Sequence, residues 1–236
     1  MGDVRKKNIV AIIPARGGSK RIPNKNIKLF CGKPLISYPI STLKSCDLIS
    51  EVLVSTDSEE IKKESILNGA IVPFVRPKKL SDDYATTADA ILHALNWFIE
   101  NETTHVDYVL TVYPAATSIT EEEIEKAVFM IENDDVDSVF TSLEFPHPIQ
   151  RAFVQDSKGY VKMIAKENQN KRTQDLGNAY HDAGQFYLTK ANKLLEEKEV
   201  VSKKSKHLVL DKKRFVDIDS IEDFIHAENL YRIYNS

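Results

Sequence analysis

Short aliphatic and β-branched runs alternate with longer amphipathic stretches through the first ~140 residues, and this rhythm constrains the fold more than any other feature. Ile9-Val10-Ala11-Ile12-Ile13 and Glu51-Val52-Leu53-Val54-Ser55 read as buried strands, and Ile71 to Val75, Tyr108 to Val112 and Ser138 to Thr141 repeat the type. Helical patterns lie between them. One runs from Leu35 to Leu43, and Ser58 to Leu67 opens with acids in its first turn. In a third, Ile91, Leu92, Leu95, Phe98 and Ile99 fall on one face. Thr120-Glu121-Glu122-Glu123 has the form of a capping box, whose hydroxyl and third-position carboxylate satisfy free N–H groups at a helix start. Strands joined through helices imply crossover connections and a mostly parallel sheet covered on both faces. Such sheets hold their ligands beyond the carboxyl ends of the strands.

The alternation breaks between Glu144 and Tyr180. This stretch holds Pro146-His147-Pro148 and a polar run from Lys166 to Arg172. It also carries Phe145, Phe153, Val154, Val161, Met163 and Ile164, more apolar surface than a free loop tolerates. Residues 144–180 are therefore expected to leave the sheet as an arm that meets a second copy, making a homodimer of one 1–236 domain. Regular structure is expected to resume at Gly184 to Leu188, and a final helix opens at Ser220 with Asp223 three residues on.

Composition narrows the function classes. A chain of 236 residues, 42% apolar and 28% charged, can bury a large core without disulfides or a structural metal. A formal charge of -3 argues against a nucleic-acid partner and confines any anion site to a local basic cluster. Two cysteines, Cys31 and Cys46, lack metal-ligand spacing and fit a reducing compartment. The apolar run at Ile9 stops at Pro14-Ala15-Arg16, too soon for a signal peptide or a membrane span. Met1-Gly2 is followed by Lys6 where a myristoylation signal needs Ser or Thr, so no membrane partner is expected and the cytoplasm is the expected location.

The first strand runs into Pro14-Ala15-Arg16-Gly17-Gly18-Ser19-Lys20-Arg21-Ile22-Pro23-Asn24-Lys25-Asn26. Its glycines and serine leave backbone N–H groups approachable, and Arg16, Lys20, Arg21 and Lys25 place four cations within ten residues. Such a loop after the first strand of an α/β sheet suits a polyphosphate, although it is neither a Walker loop nor Gly-x-Gly-x-x-Gly. A solvated basic loop is the alternative. The second signal is Phe215-Val216-Asp217-Ile218-Asp219. Two acids two apart on a strand would face one way, and paired hard oxygens suit Mg²⁺. Asp219 also reads as a lead into the helix that Ser220 caps.

These segments resemble the cytidylyltransferases that activate nine-carbon acidic sugars, the CMP-sialic acid synthetase family. That family's loop pattern, Ala-Arg-x-Gly-Ser-Lys-x-x-Pro-x-Lys-Asn, has all its fixed positions here from Ala15 to Asn26. The likeness continues through Ser55-Thr56-Asp57, Arg76-Pro77 and Asp83-Tyr84-Ala85-Thr86-Thr87. Taken alone, Asp57 and Thr87 read first as helix caps. The resemblance implies a three-layer, Rossmann-like α/β fold of the nucleotide-diphospho-sugar transferase kind, with a mixed sheet and a protruding dimerisation arm. It implies that Arg16, Lys20 and Lys25 act catalytically on the triphosphate of CTP, and that Ala15, Gly18, Ser19, Asn26, Arg76 and Thr87 complete the nucleotide site. Asp217 and Asp219 would hold magnesium.

For the sugar side the resemblance implies Arg172, Tyr180, Asp182 and Gln185. Arg172 aligns with an arginine that grips the sugar carboxylate, though a surface arginine is an equal reading. Sialic acid enzymes usually have Asn-Gly-Ala where this chain has Asp182-Ala183-Gly184, and Gln-Pro where it has Tyr113-Pro114. Tyr-His-Asp-Ala-Gly-Gln-Phe-Tyr looks instead like the pseudaminic acid branch, with Leu188 where that branch often has Trp, a departure expected at the pocket edge. The implied reaction is transfer of CMP from CTP to the anomeric hydroxyl of a nonulosonic acid, with release of pyrophosphate. No residue declares itself as the general base: a hydroxyl pKa lowered by the metal is one route, and assistance from Asp182 or His147 is the other. Sialic and legionaminic acids are the alternative sugars. A metal-dependent glycosyltransferase and a non-catalytic nucleotide-binding relative are the alternative classes.

Overall fold

The computed structural model describes residues 7–102 and 105–235; the reading of Met1, Gly2 and Lys6 lies outside them. The first half runs β1 (Ile9–Pro14), β2 (Leu29–Phe30), β3 (Lys33–Pro34), α1 (Ser37–Ser45), β4 (Ile49–Ser55), α2 (Glu59–Leu67), α3 (Thr87–Asn101), β5 (Tyr108–Val112) and α4 (Glu121–Asn133). The second runs β6 (Ser138–Glu144), β7 (Phe153–Gln155), β8 (Val161–Met163), β9 (Tyr180–Lys190), α5 (Ala191–Glu197), β10 (Ser205–Val209) and α6 (Ile221–Tyr234). Six strands form one mixed sheet in the order β10-β6-β9-β5-β1-β4. β4, β1 and β5 are parallel, β9 runs antiparallel between β5 and β6, and β10 pairs parallel to β6.

Strand alternation sends the apolar side chains of this sheet to both faces. One face packs Ala11, Ile13, Leu110, Val139 and Leu188 against Ile40 and Leu43 of α1 and Ile124 and Ile131 of α4. The other packs Val10, Ile12, Leu53 and Val109 against Ile91, Leu95 and Phe98 of α3 and Leu194 of α5. These are the three expected layers. A third cluster joins Ile22 of the first loop, Phe30, Leu35 and Ile218 to Phe224 and Ala227 of α6. It fixes the basic loop and the acidic segment to one anchor.

Three expectations about elements change. Ile71 to Val75 is not a strand: Ile71 makes one bridge to Leu53, and Pro73, which has no N–H to give, ends the ladder. Phe215 to Asp219 joins no ladder either. Its buried residues, Phe215 and Ile218, are three apart, so strand periodicity fails there. On α3, Ile91, Leu95 and Phe98 are buried as expected but Ile99 faces solvent. The capping box at Thr120 forms, with Thr120 Oγ1 accepting the Glu123 N–H. Between Glu144 and Tyr180 the chain makes the β7–β8 hairpin and short 3-10 turns, largely exposed. Among the described residues no helix is long and apolar enough to cross a membrane.

Candidate active site

The first loop is pinned from within, which turns its cations outward. Ala15 is buried and its N–H donates to the Ser55 carbonyl at 2.9 Å. Asn24 takes a left-handed backbone at φ 53°, a conformation Asn tolerates better than most, and a 3-10 turn follows over Lys25–Ile27. Asn26 is buried; its side-chain amide donates to the Arg16 carbonyl at 3.0 Å, and its own carbonyl accepts the Ile36 N–H at 2.9 Å. The two glycines differ. The Gly17 N–H is held by Asp57 Oδ1 at 2.8 Å, and a Cβ there would lie 3.0 Å from Ser58 Cβ. Gly18 is exposed, with open space where its Cβ would be, and Ser19 lines the recess beside it.

The acidic segment reaches this loop without being a strand. Ile218 and Ile22 share a cluster, so their neighbours meet. Lys25 Nζ donates to the Ile218 carbonyl, and Arg21 pairs with Asp219 at 2.6 Å. Burial lowers the Lys25 pKa, and the nearby Asp217 and Asp219 charges oppose that shift. The Asp217 carboxyl is pushed up, first by burial and then by repulsion from Asp219. Asp219 does lead into the helix, since its N–H reaches Asp223 at 3.2 Å, yet its carboxylate stays on the cleft. Two mutually repelling carboxylates beside a cation cluster form a hard-oxygen donor set of the kind Mg²⁺ accepts when phosphates complete its shell. Among the described residues no cluster of three or more potential ligands exists, so a metal here would depend on those phosphates.

A recess of about 340 Å³ opens on one side of Arg16, lined by Arg76, Asp83, Thr87 and Tyr113. Asp83 bridges Arg16 at 3.3 Å and Lys20 at 2.6 Å, and the Lys20 contact leads the lowering of its own pKa. The helix caps are the neighbours of the residues first read as caps. Ser58, not Asp57, caps α2, and Thr86, not Thr87, caps α3. That frees Thr87 Oγ1 to share a hydrogen bond with the Tyr113 hydroxyl at 3.1 Å.

On the other side lies a recess of about 540 Å³, bounded by Tyr113, Pro114, Asp182, Tyr187, Lys25 and Asp217. Its wall depends on a bulge. Two steps along β6, Phe140 to Ser142, are matched by five along β9, Tyr187 to Asp182. Gly184 sits in the surplus at φ +60°, a conformation that favours glycine. Five regular steps would put Asp182 and Tyr187 on opposite faces; the bulge returns them to one. The Tyr187 hydroxyl donates to Asp182 Oδ2 at 2.6 Å, and the Gly184 N–H donates to Asp182 Oδ1 at 2.8 Å. Burial and that bond to Asp182 raise the Tyr187 pKa, keeping the phenol a donor. Its ring meets Tyr113 edge-on at 5.6 Å.

Arg16, Ser19, Lys20, Lys25, Asn26, Arg76, Thr87, Asp182, Asp217 and Asp219 thus line one continuous cleft. Other expected residues lie elsewhere. Gln185 is buried and its amide donates to the Ala183 carbonyl at 2.8 Å. Tyr180 packs edge-on against His207 at 4.7 Å, while Arg172 and His147 are exposed in the arm region. None of these four lines the recesses. Leu188 is fully buried between Leu110 and Val139, so its departure from Trp falls in the core rather than at the pocket edge. Sequence reading passed over Tyr187 and the bridging role of Asp83. Gly184, a glycine inside an otherwise bulky strand, is the usual mark of a bulge and the sequence signal for this wall.

A family model described as cytidylyltransferase matches residues 10–231. A pseudaminic acid cytidylyltransferase of Campylobacter jejuni is 39% identical over 96% of this chain and 97% of its own length. A Helicobacter pylori protein is 35% identical over 91% of this chain but only 41% of its own length; it is described as pseudaminic acid cytidylyltransferase and UDP-2,4-diacetamido-2,4,6-trideoxy-beta-L-altropyranose hydrolase. Among solved structures, CMP:2-keto-3-deoxy-manno-octonic acid synthetase complexed with CTP superposes with a TM-score of 0.69. It is 14% identical and covers 97% of this chain and 100% of that one, a likeness of fold.

Proposed function

The chain belongs to the cytidylyltransferase family, and from that premise we propose that it transfers CMP from CTP to the anomeric hydroxyl of pseudaminic acid, releasing pyrophosphate. The observation that carries this reading is the arrangement of the cleft: a recess on each side of Arg16, with the cations and the acid pair where the two meet. The base lies towards Arg76 and Thr87, the triphosphate across Arg16, Lys20 and Lys25 with Gly18 and Ser19 below it, and the sugar against Tyr113, Asp182 and Tyr187. Ala15 and Asn26 hold the loop in shape. The sugar hydroxyl oxygen attacks the α-phosphorus and gives up its proton to solvent; the new O–P bond forms, the bond from the α-phosphorus to the α,β-bridging oxygen breaks, and pyrophosphate leaves with that oxygen and its charge. Asp217 and Asp219 would hold Mg²⁺, which supplies charge neutralisation on the phosphates when bound. The protein's share of the work is alignment and a fixed field of cations. Both Asp182 oxygens already accept protein donors, which suits an orienting role towards sugar N–H and O–H groups better than proton removal.

Pseudaminic acid is favoured over sialic acid by the closeness of the Campylobacter jejuni relative and by Tyr113 and Asp182 in the sugar wall. With CTP and Mg²⁺, pseudaminic acid should give the highest kcat/KM by pyrophosphate release in a panel with sialic and legionaminic acids. A built polar site can reject an analogue by ~10⁴-fold. Sialic acid matching it would end the sugar assignment. The exposed apolar arm, with Phe153, Val161 and Ile164, supports a homodimer, to be read by light scattering at micromolar concentration. A cytoplasmic location accords with this chemistry, since the cytoplasm supplies CTP.

A further inference from the structure

We propose that Asp57 is a positioning residue that couples the base side of the cleft to the triphosphate loop. The inference rests on the reading of Arg76 as a base contact. Three successive residues, from the last of β4 onward, hold the two loops in turn. The Ser55 carbonyl accepts the Ala15 N–H at 2.9 Å, and the Thr56 carbonyl accepts the Arg76 N–H at 2.7 Å. Asp57 then uses a single oxygen, Oδ1, for both sides: it accepts the Gly17 N–H at 2.8 Å and lies 3.9 Å from the Arg76 guanidinium.

The two partners explain why an acid is needed there. The Arg76 side chain is 3% exposed, and its Nε donates to Ser81 Oγ at 3.1 Å. A buried guanidinium left without an opposing charge is costly, and Asp57 is the acid that faces it. Gly17 lies so close to Ser58 that a side chain could not fit without displacement, so the loop's height over α2 is set at this point. Ser58 meets the capping need of α2, which leaves the Asp57 carboxylate for this task alone. A shift of Asp57 therefore moves the loop that carries Arg16 and the guanidinium that faces the base together. A guanidinium only donates; it matches the acceptor edge of cytosine, O2 and N3, and opposes the N3–H of uracil.

The test is titration calorimetry of the full chain with CTP and with UTP, without sugar, on the parent, Asp57→Asn, Asp57→Ala, Arg76→Ala and the Asp57→Asn/Arg76→Ala double variant. Asparagine keeps an acceptor for the Gly17 N–H and removes the charge opposite Arg76. Asp57→Asn should weaken CTP by on the order of tenfold and narrow the CTP-over-UTP preference, with Asp57→Ala weaker still for CTP. In the Arg76→Ala background, Asp57→Asn should change the preference no further. An Asp57→Asn protein with the parent's preference overturns the proposal, and so does one that only melts earlier while preference and affinity hold. Additive effects in the double variant overturn it too. If Arg76→Ala itself keeps the preference, the base-site reading fails first, and the two failures are told apart.

Discussion

The proposed nucleotide end and the proposed sugar end of the cleft are built in different ways. At the nucleotide end, backbone groups of β1, β4 and the loops after them hold one another at 2.7–2.9 Å, and a buried arginine stands behind them. At the sugar end, the wall is a bulged strand and a pair of tyrosines, and the neighbouring arm is a small hairpin with its apolar side chains in solvent. The first end tolerates little change because each atom is placed by the sheet. The second is placed by one glycine and the two hydrogen bonds on Asp182.

The largest effect should come from the acids where the two ends meet. Asp217→Ala and Asp219→Ala should each lower turnover by ~10²-fold or more while the fold survives, since phosphate charge is left unneutralised. Near-normal rates at saturating CTP and ordinary magnesium would remove the metal assignment. Next come the loop cations. Arg16→Ala and Lys25→Ala should each cost about tenfold or more in kcat/KM for CTP, and more than Arg21→Ala. Lys25 touches the acidic segment from within, whereas Arg21 meets Asp219 from the solvent side. Equal losses at all three positions would favour a diffuse basic surface.

Smaller effects separate the ends. Tyr187→Phe removes the donor that fixes Asp182 and should raise KM for the sugar by on the order of tenfold while KM for CTP stays within about twofold. A matching rise for CTP would mean that the two ends are not independent. Smallest should be Asp83→Asn. Its bridges to Arg16 and Lys20 are exposed and occupy cations that the triphosphate would claim. Losing them should lower KM for CTP by about twofold at low salt and hardly at all at high salt. A large rise in KM would make Asp83 part of the binding site instead.

Much of the nucleotide end was legible because its chemistry is local: the loop's cations and glycines adjoin in sequence, directly after a run that could only be a buried strand. The strands at Ile9, Glu51, Tyr108 and Ser138 and the box at Thr120 were legible for the same reason. What escaped depends on partners far along the chain. Asp57 looked like a cap because caps are common before helices, and only the fold shows Ser58 taking that part. Asp217 and Asp219 were expected to converge through strand alternation; they approach the loop through the packing of Ile218 against Ile22. Pro73 carried a warning against the strand at Ile71 that its β-branched neighbours obscured. Arg172, Tyr180 and Gln185 were placed by resemblance, and in this fold they stand outside the cleft's lining.

The bulge at Gly184 makes β9 two strands in one. From Phe186 to Lys190 it keeps an unbroken register with β5, and Phe186, Leu188 and Thr189 are buried in the core. From Tyr180 to Asp182 it pairs with β6 alone, three positions out of phase. The break acts as a clutch between them: the segment that ends in Asp182 can be lengthened, shortened or rewritten without the core half turning with it. Deleting one residue between Asp182 and Gly184 would reverse which side chains that short segment presents to the cleft, leaving the packed half as it was.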